Sequence, residues 1–419
     1  MGLARILGLT ARSRAIAPSS SPRSIRKLVS LCHTLLSERA GVAGAHLAAE
    51  ALAIYQSLDQ PHRRDFLDIL NRDFSPNPDE VGRAADAYRS DPSPNNLLQL
   101  QRVVEPPRQE LFRRLNLAPD GTRALVQMRS HVLREIDGGA GLETLAADLG
   151  HLLTSWFNRG FLTLQQIDWR SPAALLQKLI DYEAVHQIHG WHDLRRRLEA
   201  DRRCYAFFHS AMADEPLIFI EVALTRGMSD RVQPLLDPDS PVGDPEDADS
   251  AIFYSITNCQ EGLRGVPFGS LLIKQVVEDL KKNLPRIRTF ATLSPIPGFR
   301  KWLAGAQGDL DLSKLDLPMR RLLVPLCAHY FLNAKRGSEP LDPVARFHLK
   351  NGARLDRINW LADTSATGIR QSAGLMANYV YDIADLERNH ELYARSGQAV
   401  CSRRVQALAK QAFSPNHSS

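Results

Sequence analysis

The sequence predicts an all-α N-terminal segment followed by a mixed α/β domain, and three observations carry that expectation. Leucine and alanine dominate residues 24–163 at helical spacing, and proline pairs break the segment into short pieces. From about residue 171 short apolar runs of strand type alternate with helical stretches. Between two of those runs lie a glycine-containing loop and an amphipathic stripe, the order of a βαβ-type unit. The expected division is a basic, flexible terminus over 1–23, a helical packing or oligomerisation domain over 24–163, and the mixed domain over 164–419.

In the helical part Leu28, Leu31, Leu35 and Leu36 share one face, as do Ala48, Leu52, Ile54 and Tyr55. Pro61, Pro76, Pro78, Pro92, Pro94, Pro106 and Pro107 punctuate it, with Asp73, Ser75 and Asp91 as expected caps or turn starters. Beyond it, helices are expected over 172–183 and 192–200. Strands are expected at 216–225 (PLIFIEVALT), 251–257 (AIFYSIT) and 287–293 (IRTFATL), and a further extended piece beginning over 347–349. Over 269–283 Leu272, Ile273, Val276, Val277 and Leu280 form one apolar stripe, with Lys274, Glu278, Lys281 and Lys282 largely off it.

Composition narrows the function. A chain of 419 residues fits two or three domains at ~150 residues each. With 44% hydrophobic and 24% charged residues it is no disordered or low-complexity chain. No apolar run approaches the ~18 residues of a membrane span, so a soluble protein is expected. A net charge of +5, from 52 basic and 47 acidic residues, is too mild for a dedicated nucleic-acid binder and suits an anionic small molecule. The five cysteines are scattered without metal-ligand spacing, which points to a reducing compartment, free thiols and no metal site. Arg5, Arg12, Arg14, Arg23, Arg26 and Lys27 precede the first acid, Glu38, so the terminus reads as an organelle transit peptide or as a frayed basic end. The Asp-rich stretch over 227–250 reads as a solvated loop and not as a calcium site. Arg195, Arg196, Arg197, Arg202 and Arg203 read as a solvated helix face.

Three places can carry chemistry. In the loop over 262–270 (GLRGVPFGS), glycines let backbone amides approach a ligand, and the following helix N-terminus favours a phosphate. Arg264 can add a charge-assisted contact, and Pro267 suits a first helical turn. The loop is neither a Walker A motif nor a dinucleotide fingerprint, and an ordinary strand-to-helix turn stays open. Ser294 ends the third strand run, where Pro295, Pro297 and Gly298 force a fixed exit at the carboxyl edge of the sheet. There a hydroxyl either meets a ligand or simply bonds the turn. His348, among thirteen histidines, stands directly before a Lys-Asn-Gly turn and is either a general acid or base or a structural histidine.

Taken together, the strings PLIFIEVALT, AIFYSIT, GLRGVPFGS, TLSPIPGF, FHLKNGARLDRINWLAD and GLMANYVY resemble the malonyl-CoA decarboxylases over residues 156–381. The resemblance implies an N-terminal helical domain followed by a catalytic domain similar to the GNAT-type acyltransferase fold. It places the malonyl-CoA loop on Arg264, Gly265, Val266, Pro267, Phe268, Gly269 and Ser270, and the catalytic pair on Ser294 and His348. Tyr381 matches a family tyrosine near the site. Pro267 stands where related sequences often carry an acid, and the glycine spacing departs from the usual acetyltransferase loop. The implied reaction releases CO2 from malonyl-CoA through a thioester enolate to give acetyl-CoA, with His348 as proton donor and Ser294 orienting carboxylate and imidazole. The thioester is itself the electron sink, so no metal or organic cofactor is expected, coenzyme A being part of the substrate. An acyl-CoA-dependent acyltransferase and a non-catalytic acyl-CoA-binding protein are the alternatives. A homo-oligomer (dimer or tetramer) is expected, with no nucleic-acid or membrane partner. The expected compartment is the cytoplasm, or the mitochondrial matrix if the basic terminus is a transit peptide. The end, Asn-His-Ser-Ser419, carries no peroxisomal Ser-Lys-Leu address.

Overall fold

Prolines that look like breaks in the sequence turn out to start helices. A computed structural model describes residues 21–37, 43–266, 272–308, 310 and 314–413. Pro267, Phe268, Gly269, Ser270 and most of the basic terminus (1–20) therefore lie outside the described residues. The chain divides into two compact units, residues 1–156 with 261–266, and residues 157–260 with 267–419.

The helical unit contains α1 (Pro22–Leu36), α2 (Gly44–Ser57), α3 (Gln60–Asp73), α4 (Pro78–Ser90), α5 (Pro94–Val104), α6 (Pro107–Leu115), α7 (Gly121–Asp137) and α8 (Glu143–Trp156). Proline sits at the first or second position of α1, α3, α4, α5 and α6, where its missing N–H costs nothing. The caps follow from that placement. Ser21, Asp59, Asn77 and Ser93 accept amides of the first turns, whereas Asp73 ends α3 and Asp91 follows the end of α4. Of the residues expected as caps or turn starters, Asp91 is the C-cap of α4 and Ser75 lies in the turn after α3, whereas Asp73 is the last residue of α3; none is an N-cap, because that cap lies immediately before the proline-led turn. Leu28, Leu35, Leu52, Tyr55, Leu67, Phe112, Leu125 and Leu145 form part of one buried core. Helix α5 buries none of its residues and leaves Leu97, Leu98 and Val104 exposed.

Residues 261–266 complete this unit. The buried Arg129 guanidinium on α7 donates from Nη1 to the carbonyls of Gly262 (2.6 Å) and Arg264 (3.0 Å) and from Nε to Ala146 (3.3 Å). A Cβ on Gly262 would overlap the Val126 carbonyl oxygen, so only glycine lets the segment lie that close to α7. Ion pairs from Arg134 to Glu261 and from Arg264 to Asp137 flank the contact.

The second unit runs β1 (Leu162–Ile167), α9 (Ala173–Tyr182), α10 (Trp191–Arg197), β2 (Arg202–His209), β3 (Ile218–Thr225), α11 (Gln233–Leu236), β4 (Ser250–Asn258), α12 (Leu272–Asn283), β5 (Thr289–Thr292) and β6 (Ser294–Pro295). It continues with α13 (Phe299–Gln307), α14 (Leu317–Asn333), β7 (Lys335–Arg336), β8 (Glu339–Pro340), α15 (Pro343–Lys350), β9 (Arg354–Asn359), α16 (Ala366–Ser372), β10 (Met376–Val380), α17 (Leu386–Ser396) and α18 (Arg403–Gln411). The main sheet has the order β1-β2-β3-β4-β5-β10-β6, with β9 also on β10. β1 to β4 form an antiparallel meander, and β5 then joins β4 in parallel through α12. That is a mixed α/β arrangement, as expected. The β4–β5 pairing ends at Phe253↔Thr292 while β4 runs on to Asn258, so the two strands part beyond that point. A bulge at Tyr254, opposite the step from Glu221 to Val222, re-aims β4 just where they separate.

Two readings need correction. Residues 347–349 are not extended but lie on α15, because Asp342 caps a turn led by Pro343 and the Asn351-Gly352 turn ends it. Nor is the arginine cluster a solvated face. Arg196, Arg197 and Arg202 are buried, paired with Asp201, with Glu221 and Asp193, and with Asp201 respectively. Asp193 and Asp201 beside the run and Glu221 on β3 cancel the charge that the run suggests.

The close approach at Gly262 predicts a stability contrast between two glycines. Gly262→Ala should lower stability by about 1–3 kcal/mol in chemical or thermal unfolding, since something must shift to admit the methyl group. Gly82→Ala, in α4 with nothing near its Cβ position, should instead stabilise by about 0.5–1 kcal/mol. Equal effects at the two positions would show that the Gly262 packing is not rigid.

Candidate active site

Three chain segments meet around one imidazole. Thr292 and Ser294 are two residues apart at the end of β5 and the start of β6, so their side chains share a sheet face. Ser294 pairs in register with Ala377 of β10. α15 delivers His348 in its last turn, and β10 delivers Tyr379 and, immediately past its end, Tyr381. The Ser294 hydroxyl lies 2.9 Å from His348 Nε2 and donates to Thr292 Oγ1 at 2.8 Å. His348 Nδ1 lies 2.8 Å from the Tyr381 hydroxyl. The imidazole also stacks on Tyr379, with ring centroids 4.5 Å apart and 26° between planes.

All of these groups are buried. Burial alone pushes the His348 pKa down to about 3, so the ring is neutral at pH 7 and carries one proton. Because the Ser294 hydroxyl proton points to Thr292, the 2.9 Å contact needs its proton on Nε2. Nδ1 is then the acceptor of the Tyr381 hydroxyl. Burial also raises the Tyr381 pKa, which keeps the phenol protonated. Tyr381, His348, Ser294 and Thr292 thus form a hydrogen-bonded row running in one direction. Its far end is fixed by the backbone. Tyr379 N–H donates to Thr292 Oγ1 (3.2 Å), and Asn378 Nδ2 donates to the Thr292 carbonyl (2.7 Å). Asn359 and Arg357 in turn hold the Asn378 amide oxygen.

Of the remaining sequence candidates, Arg264, Gly265 and Val266 belong to the helical unit. Arg264 is exposed and paired with Asp137, Val266 is buried, and Gly265 adopts φ 80° with nothing within 4 Å of its Cβ position. Among the described residues no three His, Cys, Asp or Glu side chains are placed to hold a metal ion. No described helix is long and apolar enough to cross a membrane.

Comparison with known proteins places the chain in a family. Residues 160–418 match the family model described as malonyl-CoA decarboxylase C-terminal domain, and residues 74–157 match the malonyl-CoA decarboxylase N-terminal domain. The chain belongs to the malonyl-CoA decarboxylase family. As a member it is a carboxy-lyase. A solved malonyl-CoA decarboxylase from Rhodopseudomonas palustris is 48% identical with a TM-score of 0.85, over 92% of this chain and 100% of that one. The one from Agrobacterium vitis is 46% identical with a TM-score of 0.83, over 91% and 99%. "Malonyl-CoA decarboxylase, mitochondrial" of Anser anser anser is 34% identical over 429 residues, 89% of this chain and 85% of that protein.

Within this malonyl-CoA decarboxylase chain the structure brings Ser294, His348 and Tyr381 together, and it adds Thr292, Asn378 and Tyr379, which the sequence did not single out. A signal for Tyr379 was present. It lies two residues before Tyr381, and alternate residues of a strand share a face. No comparable signal marks Thr292 or Asn378, whose importance lies in contacts between β5 and β10.

The depressed His348 pKa has a consequence for stability. Between about pH 3 and the ordinary histidine value of 6.5, the unfolded chain binds a proton here that the folded chain does not. Stability contributed at this site is therefore full above 6.5 and lost as pH falls through that window. The unfolding free energy of wild type minus that of His348→Asn should rise with pH across it, by at most ~1.4 kcal/mol per unit, and be flat above. A difference that is flat throughout would mean that His348 is not neutral in the folded protein.

Proposed function

We propose that the chain converts malonyl-CoA to acetyl-CoA and CO2, with Ser294, His348 and Tyr381 at the reacting end of the substrate. The observation that supports this most is a buried, neutral imidazole held between two hydroxyls in a chain of this family. In the reaction the bond from the α-carbon to the carboxylate carbon breaks, and its electron pair passes to the α-carbon and the thioester oxygen. A proton must then reach the α-carbon. A neutral imidazole giving up its proton alone would become an anion, which a dry site resists. The malonyl carboxylate changes that balance, because it brings the negative charge that the buried ring lacks and so favours the imidazolium. His348 then takes up its second proton from solvent as the substrate enters, delivers one to the α-carbon and returns to the neutral ring, so that each turnover consumes one solvent proton. The Ser294 hydroxyl, free to rotate from Thr292, holds the departing carboxylate, and the Tyr381 oxygen accepts from Nδ1–H of the charged ring. Any resident metal or organic cofactor is superfluous to this sequence of steps, since the thioester takes the electrons.

Removal of one positioned general acid costs ~10²–10⁴ in rate, about 3–5 kcal/mol. His348→Asn should lose kcat by that order with little change in KM, and Ser294→Ala should also lose kcat. Acting as one unit, the double variant should be little worse than the worse single one. With malonyl-CoA as sole substrate in heavy water, the wild type should release CO2 and place deuterium on the acetyl methyl group. Turnover that requires a separate acyl acceptor would replace this reading with an acyltransferase. Wild-type rates in His348→Asn would remove the proton-donor role.

Arg264, Gly265 and Val266, with Pro267, Phe268, Gly269 and Ser270, are proposed as the malonyl-CoA loop. The open, left-handed Gly265 supports an exposed backbone there. Gly265→Val, which both strains that φ and covers the amide, should raise KM and weaken coenzyme A binding by calorimetry. Unchanged affinity in a folded variant would exclude the loop as the phosphate cradle. The compartment in this reading is the cytoplasm, with the mitochondrial matrix as the alternative if the basic terminus is a transit peptide; the Anser anser anser relative is a mitochondrial protein by name.

A further inference from the structure

A buried carboxylate outside the row connects the two segments that carry its central partners. Asp342 has no exposed surface and caps α15, the helix that ends with His348. Its Oδ1 accepts Ala345 N–H at 2.8 Å, and Val344 N–H adds a second bond from the same first turn. Its Oδ2 accepts the Tyr330 hydroxyl of α14 at 3.3 Å. The Gly298 amide lies beside it and favours its charged form, with the Gly298 Cβ position 3.8 Å from Oδ2, and Gly298 closes the Ser-Pro-Ile-Pro-Gly exit that begins at Ser294. A Cβ on Gly298 would overlap the Tyr330 hydroxyl, so the exit turn, α14 and the start of α15 are packed to contact. The Tyr330 ring is held in place by Phe299 and Trp302, with centroids 5.7 and 5.3 Å away.

A cap alone does not need this arrangement. Serine or asparagine caps a helix nearly as well as aspartate, and at a surface none of them needs to reach a second segment. Here the group is wholly buried, with no cation paired to it among the described residues, and burial pushes its pKa up to about 6. Such a carboxylate is costly to keep in place of a neutral cap. What it adds is two acceptor oxygens, enough to bind the α15 amides and the tyrosine and to face the Gly298 N–H at once.

We propose that Asp342 is a positioning residue for decarboxylation, joining the Ser294 exit turn to the first turn of α15 and thereby setting the distance between Ser294 Oγ and His348 Nε2. It touches neither residue and acts through both. The inference rests on the roles given above to Ser294 and His348.

Asp342→Asn separates capping from joining. The amide oxygen still caps α15, but its NH2 group faces Gly298 N–H as donor against donor, so the bridge is lost while the helix start is kept. The expected result is a loss of about ten- to hundredfold in kcat for malonyl-CoA, the range of a small misplacement of reacting groups. KM should stay within twofold, and circular dichroism should show a folded chain. In the His348→Asn background the same substitution should change kcat by less than twofold, which a general structural defect would not give. The 15N shifts of the His348 ring should move in Asp342→Asn without any substrate, so the positioning claim is readable even if wild type proves not to decarboxylate malonyl-CoA. Tyr330→Phe, which removes one donor and keeps the ring, should give a smaller loss with the same dependence on His348. Unmoved ring shifts, a wild-type kcat in folded Asp342→Asn, or an equal loss in the His348→Asn background would each overturn the proposal. Should Asp342→Asn fail to fold, an unaltered kcat and unmoved ring shifts in Tyr330→Phe would overturn it alone.

Discussion

An imidazole buried without a counter-ion has to find a neutral partner for each nitrogen, and much of the second unit is arranged around that demand. An unmade hydrogen bond on a buried ring nitrogen costs ~1–3 kcal/mol. Ser294 and Tyr381 meet the two needs from opposite sides of His348. They come from different strands, so β6 and β10 must pair in one register, and the pairing Ser294↔Ala377 is that register. A slip of one residue would turn Ser294 to the other face of the sheet and leave Nε2 bare.

The sheet meets a second polar demand on its other side. Glu183, at the end of α9, accepts the Ser255 hydroxyl (2.8 Å), the Thr257 hydroxyl (3.1 Å) and the amides of Val185 and His186. Ser255 and Thr257 follow the β4 bulge, so this carboxylate pins β4 beyond the point where β5 leaves it. Arg197 and Glu221 form a buried pair beside it. Replacing such charges with apolar groups is often neutral or stabilising in other proteins. Their value here is geometric, because they fix a bulged strand that hydrophobic packing alone would let straighten.

How much of this was legible depends on whether the signal is local. The runs at 218–225 and 250–258 announce β3 and β4 because β-branched and aromatic residues crowd them. β2 begins with two arginines, and β9 (RLDRIN) alternates charge with apolar residues, so neither stands out as a strand. The Arg195–Arg197 run misled because Glu221, which neutralises Arg197, lies on β3, 24 positions on, and because nothing local marks Asp201 as the buried partner of Arg196. Ser294 and His348 could be picked out from proline and turn patterns together with family likeness, and the 2.9 Å contact between them spans 54 positions. His348 was expected beside an extended piece and proved to end a helix. The Asp-Pro pair at 342–343 is a helix-start signal that the apolar look of the following residues concealed.

Arg129 and Gly262 have a meaning for the order in which the chain becomes structured. Their bond spans 133 positions, and the helical unit lacks its last segment until residue 266 exists. On a ribosome helices α1 to α8 therefore emerge with a guanidinium awaiting carbonyls that are synthesised only after β1 to β4. A nascent chain that has just passed Trp156 is not a finished domain, and severing it there would leave the Arg129 Nη1 without its two carbonyl acceptors, only Nε keeping Ala146. The helical unit is thus completed by six residues that lie within the stretch of sequence building the second unit.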